Sequence, residues 1–320
     1  MPLVPSEYTP PLLFRNGHVA TIYAALLRKV ALPEQERERI SLPDGDFLDL
    51  DWTYSPKAAS RLVVLLHGLE GNAQRPYMLG SARHFSQGGF DVCAVNLRGC
   101  SGEPNLKFRS YHSGATEDLE AVLQHLMATR DYPKTYLMGF SLGGNLILKY
   151  LGEKPLSYPG IRGAAAISVP CDLHDSLLQL SGPKNRIYAR RFLTNLREKL
   201  RDKQQRFPRE ITDTLLSQVK SLKDFDDLYT SRAHGFRDAL DYYTRCSSRQ
   251  FLKGIAIPTL LINARNDSFL GPQCFPVEES REHPFLYLEM PDHGGHVGFV
   301  SAGKPYYYET RSLKFFEAHQ

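Results

Sequence analysis

The feature that most constrains this chain is a serine set between glycines where an apolar strand pattern turns into a helical one. Thr135-Tyr136-Leu137-Met138-Gly139-Phe140 is a short continuous apolar run, and Gly144 to Leu151 continues as a helix. Between them, Gly139-Phe140-Ser141-Leu142-Gly143 fits the pattern Gly-x-Ser-x-Gly. A strand-to-helix turn this sharp strains the serine backbone and leaves no room for side chains at the flanking positions, hence the glycines. It raises the serine hydroxyl above the sheet edge, at a helix N-terminus whose N–H groups favour developing negative charge. The plain alternative is a glycine-rich turn with an incidental serine, and the flanking strand and helix weigh against it.

The same strand pattern recurs along the chain. Arg61 to His67, Phe90 to Leu97, Gly163 to Val169, Ile257 to Asn263 and Phe285 to Met290 are further apolar runs. Thr116 to Met127 places Leu119, Val122, Leu123 and Leu126 on one helical face. Ile40 to Tyr54 reads as a hairpin turning at Pro43-Asp44-Gly45-Asp46. Apolar strands alternating with amphipathic helices predict an α/β fold, a mostly parallel central sheet with helices on both faces. Residues 1–39 read as an N-terminal arm, and residues 171–250, charged and helical, as a lid inserted into a core formed by residues 1–170 and 251–320.

On this fold a base and its orienting acid follow the serine in the order acid, then histidine. Asp267 lies just past the fifth core strand; a turn-capping role is its plain alternative, and Asp292 is a rival that stands almost beside the candidate histidines. His293 and His296 both follow the last strand, and their spacing does not choose between them. The small residues flanking His296 favour it, since they let its loop approach the serine closely. A base is needed because a serine hydroxyl is a poor nucleophile until its proton is taken. The expected oxyanion donors are the N–H groups of Leu142 and of Leu69, in the loop His67-Gly68-Leu69-Glu70-Gly71, with His67 holding that loop.

Other chemistries lack support. The remaining histidines are scattered without ligand spacing, so no metal is expected, and no Gly-rich phosphate loop suggests a nucleotide or other cofactor. The net charge of +4 is not gathered into a tail, which argues against nucleic acid. Five cysteines without a Cys-x-x-Cys pair point to a reducing compartment. With no signal-peptide pattern and no apolar run near the roughly 20 residues that span a bilayer, the expectation is cytoplasmic. Ile187 to Arg206 is a basic amphipathic helix, with Tyr188, Phe192, Leu196 and Leu200 recurring every four residues. Its stripe is expected to face the pocket, with weak contact to anionic lipid headgroups as the sharper alternative.

Taken as a set, several motifs resemble one family. They are His67-Gly68-Leu69-Glu70-Gly71, Arg98 to Asn105, Tyr111-His112-Ser113-Gly114, Gly139 to Asn145 and Gly294 to Phe299. The chain resembles the YheT-like α/β-hydrolases, a branch similar to yeast medium-chain ethyl ester synthases and mammalian abhydrolase-domain phospholipases. The resemblance runs from the N-terminal arm to the final helix. It implies the α/β-hydrolase fold and a carboxylic ester hydrolase using Ser141, Asp267 and His296. In one departure, Asn266-Asp267-Ser268 stands where the family often has Asp-Asp-Pro. The expected substrate is a small ester with a short- to medium-chain apolar acyl group, cleaved through an acyl-enzyme. Alternatives on the same machinery are acyl transfer and thioester or lipid acyl hydrolysis; an idle hydrolase fold acting as a binding protein is the alternative of another class.

Overall fold

The computed structural model describes residues 3–31, 35–154, 158–303 and 305–319. Nine strands form one sheet: β1 (Leu3–Val4), β2 (Glu36–Ser41), β3 (Phe47–Thr53), β4 (Arg61–Leu66), β5 (Asp91–Asn96), β6 (Lys134–Phe140), β7 (Ile161–Ile167), β8 (Thr259–Ile262) and β9 (Leu286–Glu289). Their order is β1-β9-β8-β7-β6-β4-β5-β3-β2, parallel throughout except that β3 runs antiparallel to both β2 and β5.

The strands read as continuous apolar runs because both faces of the sheet are covered. Along β4, Leu62, Val64 and Leu66 enter one hydrophobic cluster, while Val63 and Leu65 enter another on the opposite face. All five are at most 1% exposed. At the edge, β2 is charged: Arg37 and Arg39 sit opposite Asp51 and Asp49 in register and pair with them at 2.7 Å. Within the expected arm, residues 1–39, strand pairing begins at Glu36, and Leu3–Val4 adds a strand at the far edge beside β9. The two sheet edges thus draw on the arm, whose short or charged strands carry little hydrophobic signal.

Register aligns the carboxyl ends of the central strands. Leu66 lies opposite Gly139, Phe140 opposite Ile167, Ile167 opposite Ile262, and Ile262 opposite Glu289. The loops after β4, β6, β8 and β9 therefore open along one edge, where ligands of open parallel sheets bind. Between β7 and β8 the chain is helical, from Leu173–Ser181 through the long helix Arg186–Arg206 to Ala239–Cys246. These helices pack around a third hydrophobic cluster that includes Leu177, Leu200, Ile211, Phe225 and Tyr243.

Candidate active site

Ser141 stands between β6 and the helix Leu142–Glu153 with φ 52° and ψ −117°. Positive φ is costly for a residue with a Cβ, so surrounding structure must hold it. Ser141 N–H donates to Ile167 O at 2.8 Å, and Ser141 O accepts from Asn145 N at 3.0 Å. The flanking glycines are sterically required. A Cβ on Gly139 would lie 2.5 Å from the Gly143 backbone, and one on Gly143 would lie 2.6 Å from the carbonyl oxygens of Leu66 and His67.

The structure brings Asp267, His296 and Ser141 together. His296 Nδ1 is 2.8 Å from Asp267 Oδ2, and His296 Nε2 is 3.0 Å from Ser141 Oγ. The carboxylate fixes the tautomer: Nδ1–H donates to Asp267, which leaves Nε2 free to accept the serine proton. The Asp267 side chain is fully buried, and its other oxygen accepts from Phe269 N at 2.9 Å. The Phe269 ring stacks on the imidazole with centroids 4.2 Å apart. The two rivals face elsewhere. His293 Nδ1 donates to Arg15 O at 3.0 Å, and Asp292 is exposed beside Arg265.

The β4 loop approaches the serine so closely that a Cβ on Gly68 would lie 3.2 Å from Ser141 Cβ. Within it, Gly68 N donates to Tyr77 Oη and Glu70 N to Tyr111 Oη. The N–H of Leu69 donates to no acceptor among the described residues. The N–H of Leu142, in the first turn of its helix, is beyond the reach of the helix's own carbonyls. His67 secures the loop from below. Its Nδ1–H donates to Gly68 O at 2.8 Å and its Nε2 accepts from Leu97 N at 3.1 Å. Complete burial pushes the imidazole down to about 3, so it stays neutral. Cys100 is nearby, and burial pushes its thiol up to about 11, which removes it as a competing nucleophile at neutral pH.

Three supporting residues carried no sequence signal of their own catalytic role. His296 N donates to Thr21 Oγ1 at 2.8 Å. Asn266 Oδ1 accepts from Gly295 N at 2.9 Å, while its Nδ2 donates to Arg15 O at 2.9 Å. Ser168 Oγ accepts from Val297 N at 2.9 Å. The N-terminal arm and Asn266 together brace the histidine loop, in which Gly295, Val297 and Phe299 all hold positive φ. Only the position of Asn266 beside Asp267 could have drawn attention to it.

Ser141 and His296 open on a cavity of about 660 Å³. Its apolar wall includes Leu69, Leu142, Leu177, Phe192 and Phe269, and the arm contributes Ile22 and Leu26. Tyr188, Phe192, Leu196 and Leu200 of the basic helix line it, so that stripe faces inward. Arg98 reaches the cavity edge, but Asp118, Asp46 and Asp44 hold its guanidinium at 2.6–3.0 Å. Among the described residues no group of histidine, cysteine and carboxylate side chains could hold a metal ion.

The family profile for the alpha/beta hydrolase fold matches residues 61–302. Over 300 residues the chain is 37% identical to the "Putative esterase YheT" of Escherichia coli strain K12, covering 92% of this chain and 87% of that one. This chain belongs to the YheT-like α/β-hydrolase family. It is also 30% identical to the mouse protein named "Phospholipase ABHD3", over 93% of this chain and 74% of that one. Among solved structures, the Pyrococcus furiosus esterase Pf2001 superposes with a TM-score of 0.61 at 18% identity, covering 89% and 91% of the two chains. At that identity the likeness speaks for the fold alone.

Proposed function

We propose that this carboxylic ester hydrolase cleaves short- to medium-chain acyl esters through an acyl-enzyme on Ser141. The observation that carries the reading is the hydrogen-bonded chain from Asp267 through His296 to Ser141, at the wall of a largely apolar cavity. In this reading His296 Nε2 takes the Ser141 proton as Oγ attacks the ester carbonyl. Asp267 keeps the imidazole in its tautomer and stabilises the imidazolium. The oxyanion is met by the N–H groups of Leu142 and Leu69. His296 then returns the proton to the leaving alcohol, and water, activated by the same imidazole, releases the acid and restores Ser141.

The helices of residues 171–250 act as a lid, because they supply the cavity wall facing the serine. The names of the mammalian phospholipases and of a yeast monoacylglycerol lipase support a lipid-derived acyl group as the physiological form of the substrate. A series of p-nitrophenyl esters of graded chain length tests the proposal. Hydrolysis is expected to peak at short to medium chains and to fall by several orders of magnitude in Ser141→Ala. Absence of turnover across the series, or turnover unchanged in Ser141→Ala, would overturn it.

A further inference from the structure

The N-terminal arm packs Tyr8, Phe14 and Tyr23 against the core but leaves several large aliphatic residues facing outward. Across Gly17–Ile22 and Tyr23–Leu27, Ala20 and Ala24 are buried, whereas Ile22, Leu26 and Leu27 are 43, 56 and 62% exposed. The preceding turn, Leu12–Arg15, adds Leu12 and Leu13 at 77 and 66%. Ile187, in the first turn of helix Arg186–Arg206, is 82% exposed. A hydrogen bond at 3.1 Å between His18 and Tyr188 joins the arm to this helix. Single exposed leucines need no explanation, but six large aliphatic side chains on two abutting segments do.

Two further observations say what covers this surface. The first is charge: residues 8–31 and 181–197 contain no aspartate or glutamate. They do present Arg15, Lys184, Arg186, Arg190 and Arg191, all exposed. Exposed apolar side chains on two segments that carry cations and no carboxylate match the face of an anionic lipid layer; the exposed acids Glu7, Glu198 and Asp292 lie just outside these segments. The second is continuity: Ile22 and Leu26 line the cavity as well as the outer surface, so the exposed patch runs into the chamber that holds Ser141. No helix among the described residues is long and apolar enough to cross a membrane, which fits attachment at the surface.

We infer that the arm and the start of the helix Arg186–Arg206 form a docking surface for an anionic phospholipid bilayer. The leucines and isoleucines enter the headgroup layer, the arginines face lipid phosphates, and the cavity mouth is held against the layer. Docking itself does not depend on the catalytic reading of Ser141; only delivery of a lipid ester to that serine rests on it.

Flotation of the full chain with vesicles tests the inference, using phosphatidylcholine alone or phosphatidylcholine with a minority of phosphatidylglycerol. The wild type is expected to float with the anionic vesicles and to be released by high salt. Leu27→Glu/Ile187→Glu and Arg186→Glu/Arg190→Glu are each expected to lose about ten-fold or more in binding. These four side chains lie outside the cavity lining, so both variants should keep hydrolysis of a water-soluble short-chain ester, which also reports folding. Ser141→Ala should bind vesicles like the wild type, and its binding separates failure of docking from failure of the catalytic reading. The inference is overturned if the wild type ignores anionic vesicles, or if Leu27→Glu/Ile187→Glu binds them unchanged. It is also overturned if that variant abolishes a dimer seen by sedimentation while the wild type binds no vesicles, which would give the patch to a second copy of the chain.

Discussion

Lys199 Nζ, on the long helix of the insertion, donates to Glu70 Oε1 at 3.0 Å, in the loop that carries the Leu69 N–H. The same carboxylate oxygen accepts from Tyr111 Oη at 2.7 Å. Glu70 itself holds φ 52°, a strained value that neighbouring contacts must maintain. Burial disfavours the Lys199 ammonium, but Cys100 and Glu70 facing it hold its pKa above the usual lysine value. One ion pair thus couples the insertion to the loop proposed to carry an oxyanion donor. Lys199→Met is expected to lower kcat by about ten-fold, a fraction of the 10²–10³ loss typical of deleting an oxyanion donor outright. Because Lys199 reaches this loop through Glu70, Lys199→Met/Glu70→Gln should be no slower than the slower single variant. Steady-state kinetics on a soluble ester, with thermal melts alongside, check this; additive losses would separate the two residues.

Asn266 is the bridge between the acid loop, the histidine loop and the arm. Asn266→Ala leaves Gly295 N without its acceptor and removes one of the two donors to Arg15 O, His293 Nδ1 being the other. The expected outcome is a fall in kcat of about ten-fold with KM nearly unchanged, since the imidazole is misplaced while the cavity wall is intact. Asn266→Asp keeps the acceptor for Gly295 N and should recover most of the activity. Equal damage from both substitutions would show that the Arg15 contact dominates.

Asp226, in the insertion, accepts from Tyr243 Oη at 2.6 Å and Thr230 Oγ1 at 2.7 Å. Loss of solvation pushes its carboxyl up to about 6, Asp227 pushes the same way, and the hydrogen bonds only partly offset them. A carboxyl raised above its unfolded value of about 3.8 stabilises the fold most when protonated, and that contribution is lost as pH rises from about 4 through 6. Asp226→Asn should therefore melt higher than the wild type at pH 8, with the gap closing as pH falls toward 4. A gap independent of pH would remove ionisation of Asp226 as its cause.

Gly143→Ala drives a methyl group to 2.6 Å from two backbone oxygens, at Leu66 and His67. Backbone cannot rotate away as a side chain can. The expected cost is about 1–3 kcal/mol in denaturant unfolding, with activity falling further because β4 and its loop must retreat from Ser141. Full activity at wild-type stability would contradict the crowded turn described here.

Much of this molecule could be read from its residues. Arg61 to Leu66 and Thr135 to Phe140 announce central parallel strands because burial on both faces demands unbroken apolar runs. Ser141 is legible because its turn admits only glycine two positions to either side, at Gly139 and Gly143. Asp267 and His296 follow from chain order, although choosing His296 over His293 took small neighbours and a family resemblance. The arm was harder. Thr21 braces His296 across 275 positions with one hydroxyl, and such a contact leaves no periodic trace. Leu26 and Leu27 would ordinarily be assigned to a core, yet they face outward while Ala20 and Ala24 are buried. The coupling of Lys199 to Glu70 is hidden for a related reason: a lysine on a basic helix reads as solvated until a carboxylate is placed beside it.

In the proposed mechanism Ser141, driven by His296, becomes covalently acylated during turnover. Intact-mass analysis after brief exposure to a fluorophosphonate addresses it most directly, because that reagent reports an activated serine without requiring the physiological ester. A single adduct mapping to Ser141 is predicted, absent in Ser141→Ala and formed orders of magnitude more slowly in His296→Ala. An unlabelled, folded wild type, or an adduct that persists in Ser141→Ala, would contradict acylation at Ser141.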